Sequence, residues 1–559
     1  GRIAEDSGHL TEAQEYYKLA LETYALSEGH AESPAVLGSR MNLHHKIGDL
    51  LLRLEDWGKA EEQFTISLEG ALAGGMRELE CRCLLGLAEV SLGRGRPEQA
   101  EMLANQALRI AEERPYEDLR WRAQLLRGKS LRAAGRTEEA LRDLEFAIGS
   151  VENVRGRVPA GEIQQSFLSQ RLDPYREIVG ILGGMPGRSA QAAQYADRAK
   201  SLALGDYLDA GGSADASEAS RQPDAAISRA LPEAIVLEYF FTSDGLAAFA
   251  SGAGRRVTSA LGMSITAAAS SVDTYLDFLR DGDQEGFERS ARELCRKLVQ
   301  PVLQRLGAAK KGPLIVVPDG PLHRLPFAGL IDETGRYLVE NYALAYSPSR
   351  SILARCLAKD RGPAGSPNQS LLLIDGSANL GGAARELSFL AALYGGSTGF
   401  WDPRDAVASE GSVRRAEIVH FAGHADLRDG KPGLVLDSTK NASRIEASAI
   451  GAWRLDRCRL VNLAGCSTAV GPQSDGSTPW GLVPAFLNAG ATSMVASLLP
   501  VNDESAERLN YYFYSCLAEK RATKAEALRH AQLTLLASSS PGRFEPASWI
   551  PFLLLGDPR

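Results

Sequence analysis

With 559 residues, 44% of them hydrophobic and 24% charged, the chain has apolar residue for several packed cores, on the order of three or four domains. Its net charge of -8 gives no electrostatic case for a nucleic-acid or lipid-surface partner, and no apolar run approaches the ~18 residues that a membrane span needs. The cysteines, Cys81, Cys83, Cys295, Cys356, Cys458, Cys466 and Cys516, are odd in number, dispersed and without a C-x-x-C pair, which argues for reduced thiols in a cytoplasm and against a metal site. The opening "GRIAEDSGHL" has neither an initiator Met nor the charged-then-apolar form of a signal peptide, as in a fragment or a processed chain.

Residues 1–208 read as an α-helical repeat array. "GHLTEAQEYYKLALE" from Gly8, "EDWGKAEEQFTISLE" from Glu55, "GRPEQAEMLANQALR" from Gly95 and "GRTEEALRDLEFAIG" from Gly135 are one pattern. An alanine recurs at Ala13, Ala60, Ala100 and Ala140, and a second small residue follows at Ala20, Ser67, Ala107 and Ala147. The preceding helices carry Gly48, Gly86 and Gly128 at matching places. Small residues at fixed offsets let paired helices approach closely. The pattern resembles the tetratricopeptide repeat in a longer form, which implies a right-handed solenoid whose groove takes a peptide or a partner helix. "AAQYADRAKSLALGDYLDA" reads as the last helix of this array.

"DAGGSADASEASRQPDAA", residues 209–226, is Gly/Ser/Ala/Asp-rich without periodicity and reads as a linker. From 227 to 559 the pattern becomes α/β. "AIVLEYFFT" and "GLAAFAS" read as strands, and "SARELCRKLVQPVLQRLG" as helix. "LIVV" then ends at a Pro-Asp-Gly-Pro turn. From Ser370 the alternation is regular, through the strands "SLLLID", "AEIVHFAGH", "RLVNLAGC", "ATSMVASLLP" and "WIPFLLLGDP" with helices between them. Continuous apolar strands separated by helices predict a mostly parallel sheet covered on both faces.

His420 and His424 stand four apart in "EIVHFAGHADL". On a helix this is metal-site spacing. Here Ile418, Val419 and Phe421 predict a strand, where four residues span about 13 Å, so the two do not grip one ion. His420 is expected inside, with a hydrogen-bond partner. His424 follows Gly423, where the strand should end. "RLVNLAGCSTAVG" has the same design and places Cys466 at its strand end. Carboxyl ends of parallel strands share one edge of the sheet, where sites form. His424 and Cys466 are therefore expected as neighbours, the imidazole ionising the thiol for attack on a carbonyl. The backbone N–H groups of Ala425 and Cys466 are the candidate oxyanion donors. The small residues before each of the pair leave room for a substrate backbone.

"LIVVPDGPLHRLPFAGL", "VHFAGHADL", "VNLAGCSTAVG", "WGLVPAFLNAGATSMVASLLPVND", "KAEALRHAQLTLL" and "ASWIPFLLLGD" together resemble the CHAT domain, a caspase- and separase-related group that follows tetratricopeptide repeats. The resemblance implies a caspase-like α/β domain over 227–559, with an N-terminal subdomain at 227–365 and a catalytic one at 366–559. It also implies a His–Cys dyad with His424 as base and Cys466 as nucleophile. The family usually has Gly after that histidine, where this chain has Ala425. Many relatives look like parts of defence or cell-death systems, so the resemblance also implies a partner that switches the protease on. The implied function is a cysteine endopeptidase acting on a protein recruited by the repeats. A repeat scaffold with a silent caspase-like domain is the alternative. Asp426, Asp437 and Asp475 are candidates for a pocket selecting a basic side chain. His323 reads as a turn residue, and His530 as packing or surface. No motif calls for a metal or a cofactor.

Overall fold

The computed structural model describes residues 10–25, 34–113, 116–155, 171–209, 214–307, 312–359, 369–377, 380–401, 406–428, 431–436, 444–464, 481–520, 522–538 and 545–559. It forms two compact units, Gly1–Pro159 with Arg171–Ile181, and Ala160–Gln170 with Leu182–Arg559.

The first unit is the repeat array. Its helices are α1 (Leu10–Ala25), α2 (Pro34–Arg53), α3 (Trp57–Ala73), α4 (Arg77–Gly93), α5 (Pro97–Glu113), α6 (Glu117–Ala133) and α7 (Thr137–Arg155), followed by most of α8 (Asp173–Gly184). The recurring small residues sit where the helices cross. Ala13, Ala60, Ala100 and Ala140 are fully buried, as are Ser67, Ala107 and Ala147. The Phe64 ring wedges between α2 and α4. A Cβ on Gly48 would lie 2.7 Å from that ring, and one on Gly86 2.5 Å from it. Those glycines are the space the aromatic fills.

The second unit begins with α9 (Ser189–Asp209), read above as the end of the array. It belongs here because its polar face is buried against the sheet. Lys200 Nζ lies 3.4 Å from Glu238 and donates to the carbonyls of Tyr239 and Val317. The supposed linker holds two short helices, α10 (Ala214–Arg221) and α11 (Pro223–Ala230). Next comes the antiparallel meander β1 (Ile235–Thr242), β2 (Gly245–Gly252) and β3 (Arg255–Ala260). Helices α12 (Ile265–Asp281), α13 (Gln284–Leu294) and α14 (Gln300–Leu306) lead to β4 (Leu314–Val317). Helix α15 (Leu338–Asn341), β5 (Leu344–Tyr346) and α16 (Arg350–Ala358) complete this half.

The remaining strands are β6 (Leu371–Gly376), β7 (Thr398–Phe400), β8 (Ile418–Arg428), β9 (Lys431–Val435), β10 (Arg444–Glu446), β11 (Leu460–Ala464), β12 (Ser493–Ser497) and β13 (Phe552–Gly556). Between them lie α17 (Gly381–Tyr394), α18 (Ala406–Arg415), α19 (Ala447–Gly451), α20 (Val483–Ala489), α21 (Asp503–Lys520) and α22 (Lys524–Ser538). Strands β7, β6, β8, β11 and β12 run parallel in that order, and so do β13, β5, β4 and β1. The sets meet antiparallel at β12 and β13. The reason is countable. A single helix between two strands delivers the chain to the opposite edge, so the next strand runs parallel, but α21 and α22 together return it to the edge it left, so β13 runs antiparallel. The protein is thus a helical repeat region followed by a mostly parallel mixed sheet.

Candidate active site

Strand β8 carries His424 and serves two ladders. Through Gly423 it lies inside the sheet, parallel to β6 on one side, and through Ala422 parallel to β11 on the other. Its β11 partners stand 42 positions further along the chain, Leu460 beside Ile418 and Ala464 beside Ala422. The strand does not end at Gly423, as expected above. From His424 it continues to Arg428 as an antiparallel ladder with β9, His424 opposite Val435 and Arg428 opposite Lys431. The handover falls at His424, and burial changes with it: Ile418 to Gly423 are buried, His424 is exposed.

Gly423 is not there to admit a substrate. A Cβ on it would stand 2.7 Å from the Cα and carbonyl oxygen of Gly376, and one on Gly376 would meet Val435 O at 2.6 Å. The two glycines let β6 and β8 touch backbone to backbone at the point where His424 leaves the sheet. Ala425, opposite Leu434, lies in extended strand and is absent from the left-handed residues, so its Cβ brings no strain where relatives have Gly. Asp426 is engaged. It accepts from Arg444 Nε at 2.8 Å and from Arg428 at 3.3 Å. Arg444 lies flat over Gly433, where a Cβ would strike its guanidinium. Cys466, Asp437 and Asp475 lie outside the described residues.

Behind His424 the same face of the strand is polar and closed. His420 is fully buried, with Nε2 2.9 Å from Glu386 Oε1 on α17 and Nδ1 3.1 Å from the Tyr514 hydroxyl on α21. Asn462, the β11 residue beside His420, donates to Asn510 Oδ1 on α21 at 2.7 Å. The sequence reading anticipated a partner for His420 but none of these four. A signal was present: one polar residue interrupts each apolar run, four before His424 and four before Cys466.

The family model for the CHAT domain matches residues 288–557, and one for the tetratricopeptide repeat matches 39–113. The second unit carries a CHAT domain. No curated protein matches the chain. A chain of the Saccharomyces cerevisiae separase–securin complex is similar over 98% of this chain and 56% of its own length, at 10% identity and TM-score 0.49. The chain thus spans little more than half of that relative. RgpB of Porphyromonas gingivalis, solved as its pro- and mature domains, is similar over 51% of this chain and 71% of its own, at 11% identity and TM-score 0.30. BtubC from P. vanneervenii covers 39% of this chain and 83% of its own, at 18% identity and TM-score 0.23. The architecture is that of a tetratricopeptide-repeat region followed by a CHAT domain.

The remaining described histidines and cysteines of this domain are buried or half-buried. His323 is buried in the turn after β4 with Nδ1 2.9 Å from Gly320 O, and burial pushes its pKa down to about 4, so the ring is neutral. His530 is half-buried on α22. Cys295, Cys356, Cys458 and Cys516 are buried, as are Cys81 and Cys83 in the array. Burial raises Cys356 to about 11, which keeps it a thiol. Among the described residues, no helix is long and apolar enough to cross a membrane.

Proposed function

We propose that the chain is a caspase-like cysteine endopeptidase, latent in the cytoplasm until a partner engages the repeats, with Cys466 as nucleophile and His424 as base. One observation carries this reading. The β8–β11 ladder pairs residues 42 apart, and His424 and Cys466 are themselves 42 apart. A ladder continued two residues beyond Ala422 and Ala464 sets the imidazole beside the thiol. His424, exposed where β8 changes neighbours, is open to a substrate. His424 takes the thiol proton, and the thiolate sulfur bonds to the scissile carbonyl carbon. The N–H groups of Ala425 and Cys466 receive the oxyanion. The C–N bond then breaks, and His424 returns the proton to the leaving amine. Water, deprotonated by His424, cleaves the thioester.

With Asp426 spent on Arg444, a pocket for a basic side chain falls to Asp437 or Asp475. A role in defence is the context that the family resemblance suggests. The test is labelling by a peptidyl acyloxymethyl ketone, with the repeat partner present where one is known. Label confined to Cys466, and lost in Cys466→Ala and His424→Ala proteins that still melt as wild type does, is the expected result. Substrate cleavage that survives both substitutions sinks the dyad. No label under any condition leaves a repeat scaffold with a silent domain.

A further inference from the structure

The buried polar cluster behind His424 has no part in the chemistry above, and its place in the sheet gives it one. His420 and Asn462 are side by side on β8 and β11, the strands that lead to His424 and Cys466. His420 stands four residues before His424, about 13 Å back along β8 and, by alternation, on the same face, and Asn462 precedes Cys466 in sequence by the same four positions. Their neighbours Val419, Phe421, Val461 and Leu463 are apolar and fully buried. Both polar residues reach the same helix, His420 through Tyr514 and Asn462 through Asn510. His420 also reaches Glu386 on α17, a carboxylate whose pKa burial raises.

Burying such groups is costly, and an apolar set of the same shape would hold strands to helices as well or better. The cost shows. Asn462 Oδ1 and Asn510 Nδ2 are buried without a hydrogen-bond partner among the described residues, and His420 Nε2 and Glu386 Oε1, 2.9 Å apart, lack the alignment of a hydrogen bond. Directed contacts supply what apolar packing does not, a fixed height of one strand against the next. A strand held only by apolar contacts can slide along a helix at little cost. One whose imidazole is bonded to the Tyr514 hydroxyl on one side and stands 2.9 Å from the Glu386 carboxylate on the other cannot. An angstrom of slip between β8 and β11 is enough to disable a two-residue site.

We propose that His420, Glu386, Tyr514, Asn462 and Asn510 form a brace that sets the relative height of the ends of β8 and β11, making them positioning residues for the His424–Cys466 pair. This rests on the dyad reading, and the experiment separates the two. His420→Leu and Glu386→Leu each leave a buried partner alone and lower the melting temperature. The double variant removes the whole pair and recovers it. In that folded double variant, the brace predicts a maximal rate of Cys466 labelling by the ketone probe at least tenfold below wild type, with the half-saturating probe concentration unchanged. A maximal rate that recovers with the melting temperature overturns the brace and leaves a structural ion pair. Should the double variant not fold, Tyr514→Phe decides, since it removes a single hydroxyl that meets both His420 and Asn462: a lowered maximal rate upholds the brace, an unchanged one overturns it. Labelling that persists in Cys466→Ala instead refutes the dyad itself.

Discussion

Gly423 decides where His424 stands, because nothing beside it can give way. A methyl there meets the Gly376 main chain at 2.7–2.8 Å. Gly423→Ala therefore pushes β6 and β8 apart, at an expected cost of about 1–3 kcal/mol, and carries His424 off its mark. Probe labelling of Cys466 should fall at least a hundredfold. Gly433→Ala is the control, since the atoms its methyl meets are the tip of Arg444, a flexible side chain. It should loosen Asp426 with a stability change under about 1 kcal/mol, read by urea melts. Equal losses from both would show that the β6 contact is not special. His323 makes a pH prediction at the same scale. Its folded pKa of about 4 lies below the ordinary 6.5. Between those values the unfolded chain takes up a proton that the folded one refuses, so acid favours unfolding. This contribution is complete above pH ~6.5 and is lost toward pH ~4, about 3 kcal/mol in all at ~1.4 per unit. A His323→Gln protein should lack that slope in its denaturation midpoint between those pH values. The sequence made His323 legible because a turn marks it locally, and it put His424 on its strand but not where that strand ends, while Cys466 lies outside the described residues. It hid Gly376, Glu386 and Tyr514, which reach the site from other elements.

At the scale of elements, the helices before the sheet are held by charge. Arg350 at the start of α16 contacts Glu238 at 2.8 Å, Asp224 of α11 at 2.5 Å and the Ala193 carbonyl of α9 at 2.6 Å. Asp197 of α9 accepts from the Ser351 amide at 3.0 Å. Glu238 and Arg350 are almost wholly buried, so neither charge is tolerable alone. Arg350→Ala leaves Glu238 facing Lys200 as its remaining cation and should cost about 3–5 kcal/mol. Lys200→Met leaves Arg350 in place and should cost less, about 1–3 kcal/mol for hydrogen bonds lost on buried carbonyls. Urea midpoints in the reverse order would show that α9 is held by packing instead. This docking explains two misread segments. Helices of eight residues such as α10 and α11 are not stable alone. Their Ser, Ala and Asp read as linker, although Pro223 at the first turn of α11 was a helix-start signal. The repeat-like apolar spacing of α9 was legible, but the depth to which Lys200 and Asp197 are buried was not.

For the whole molecule, periodicity was enough for the two-part plan, a repeat array and an alternating α/β unit. The antiparallel entry of β13 was also within reach, because two consecutive helices precede it. The beginning of the second unit was not, since composition changes near 227 while the buried charges of α9 lie before it. The two boundaries make different predictions. A chain of residues 182–559 retains Lys200, Asp197 and Asp224 and should unfold in urea in one cooperative transition. A chain of residues 227–559 keeps Glu238 and Arg350 but loses those three partners and the Ala193 carbonyl. By the magnitudes of unpaired buried charges it forfeits several kcal/mol of the roughly 5–15 that a domain has. It should be aggregated or partly unfolded at 25 °C by near-ultraviolet circular dichroism, and a Glu238→Gln/Arg350→Met version should recover part of the loss. If 227–559 folds as stably as 182–559, α9 is an appendage of the sheet rather than part of it, and the buried cluster is not what fixes the boundary.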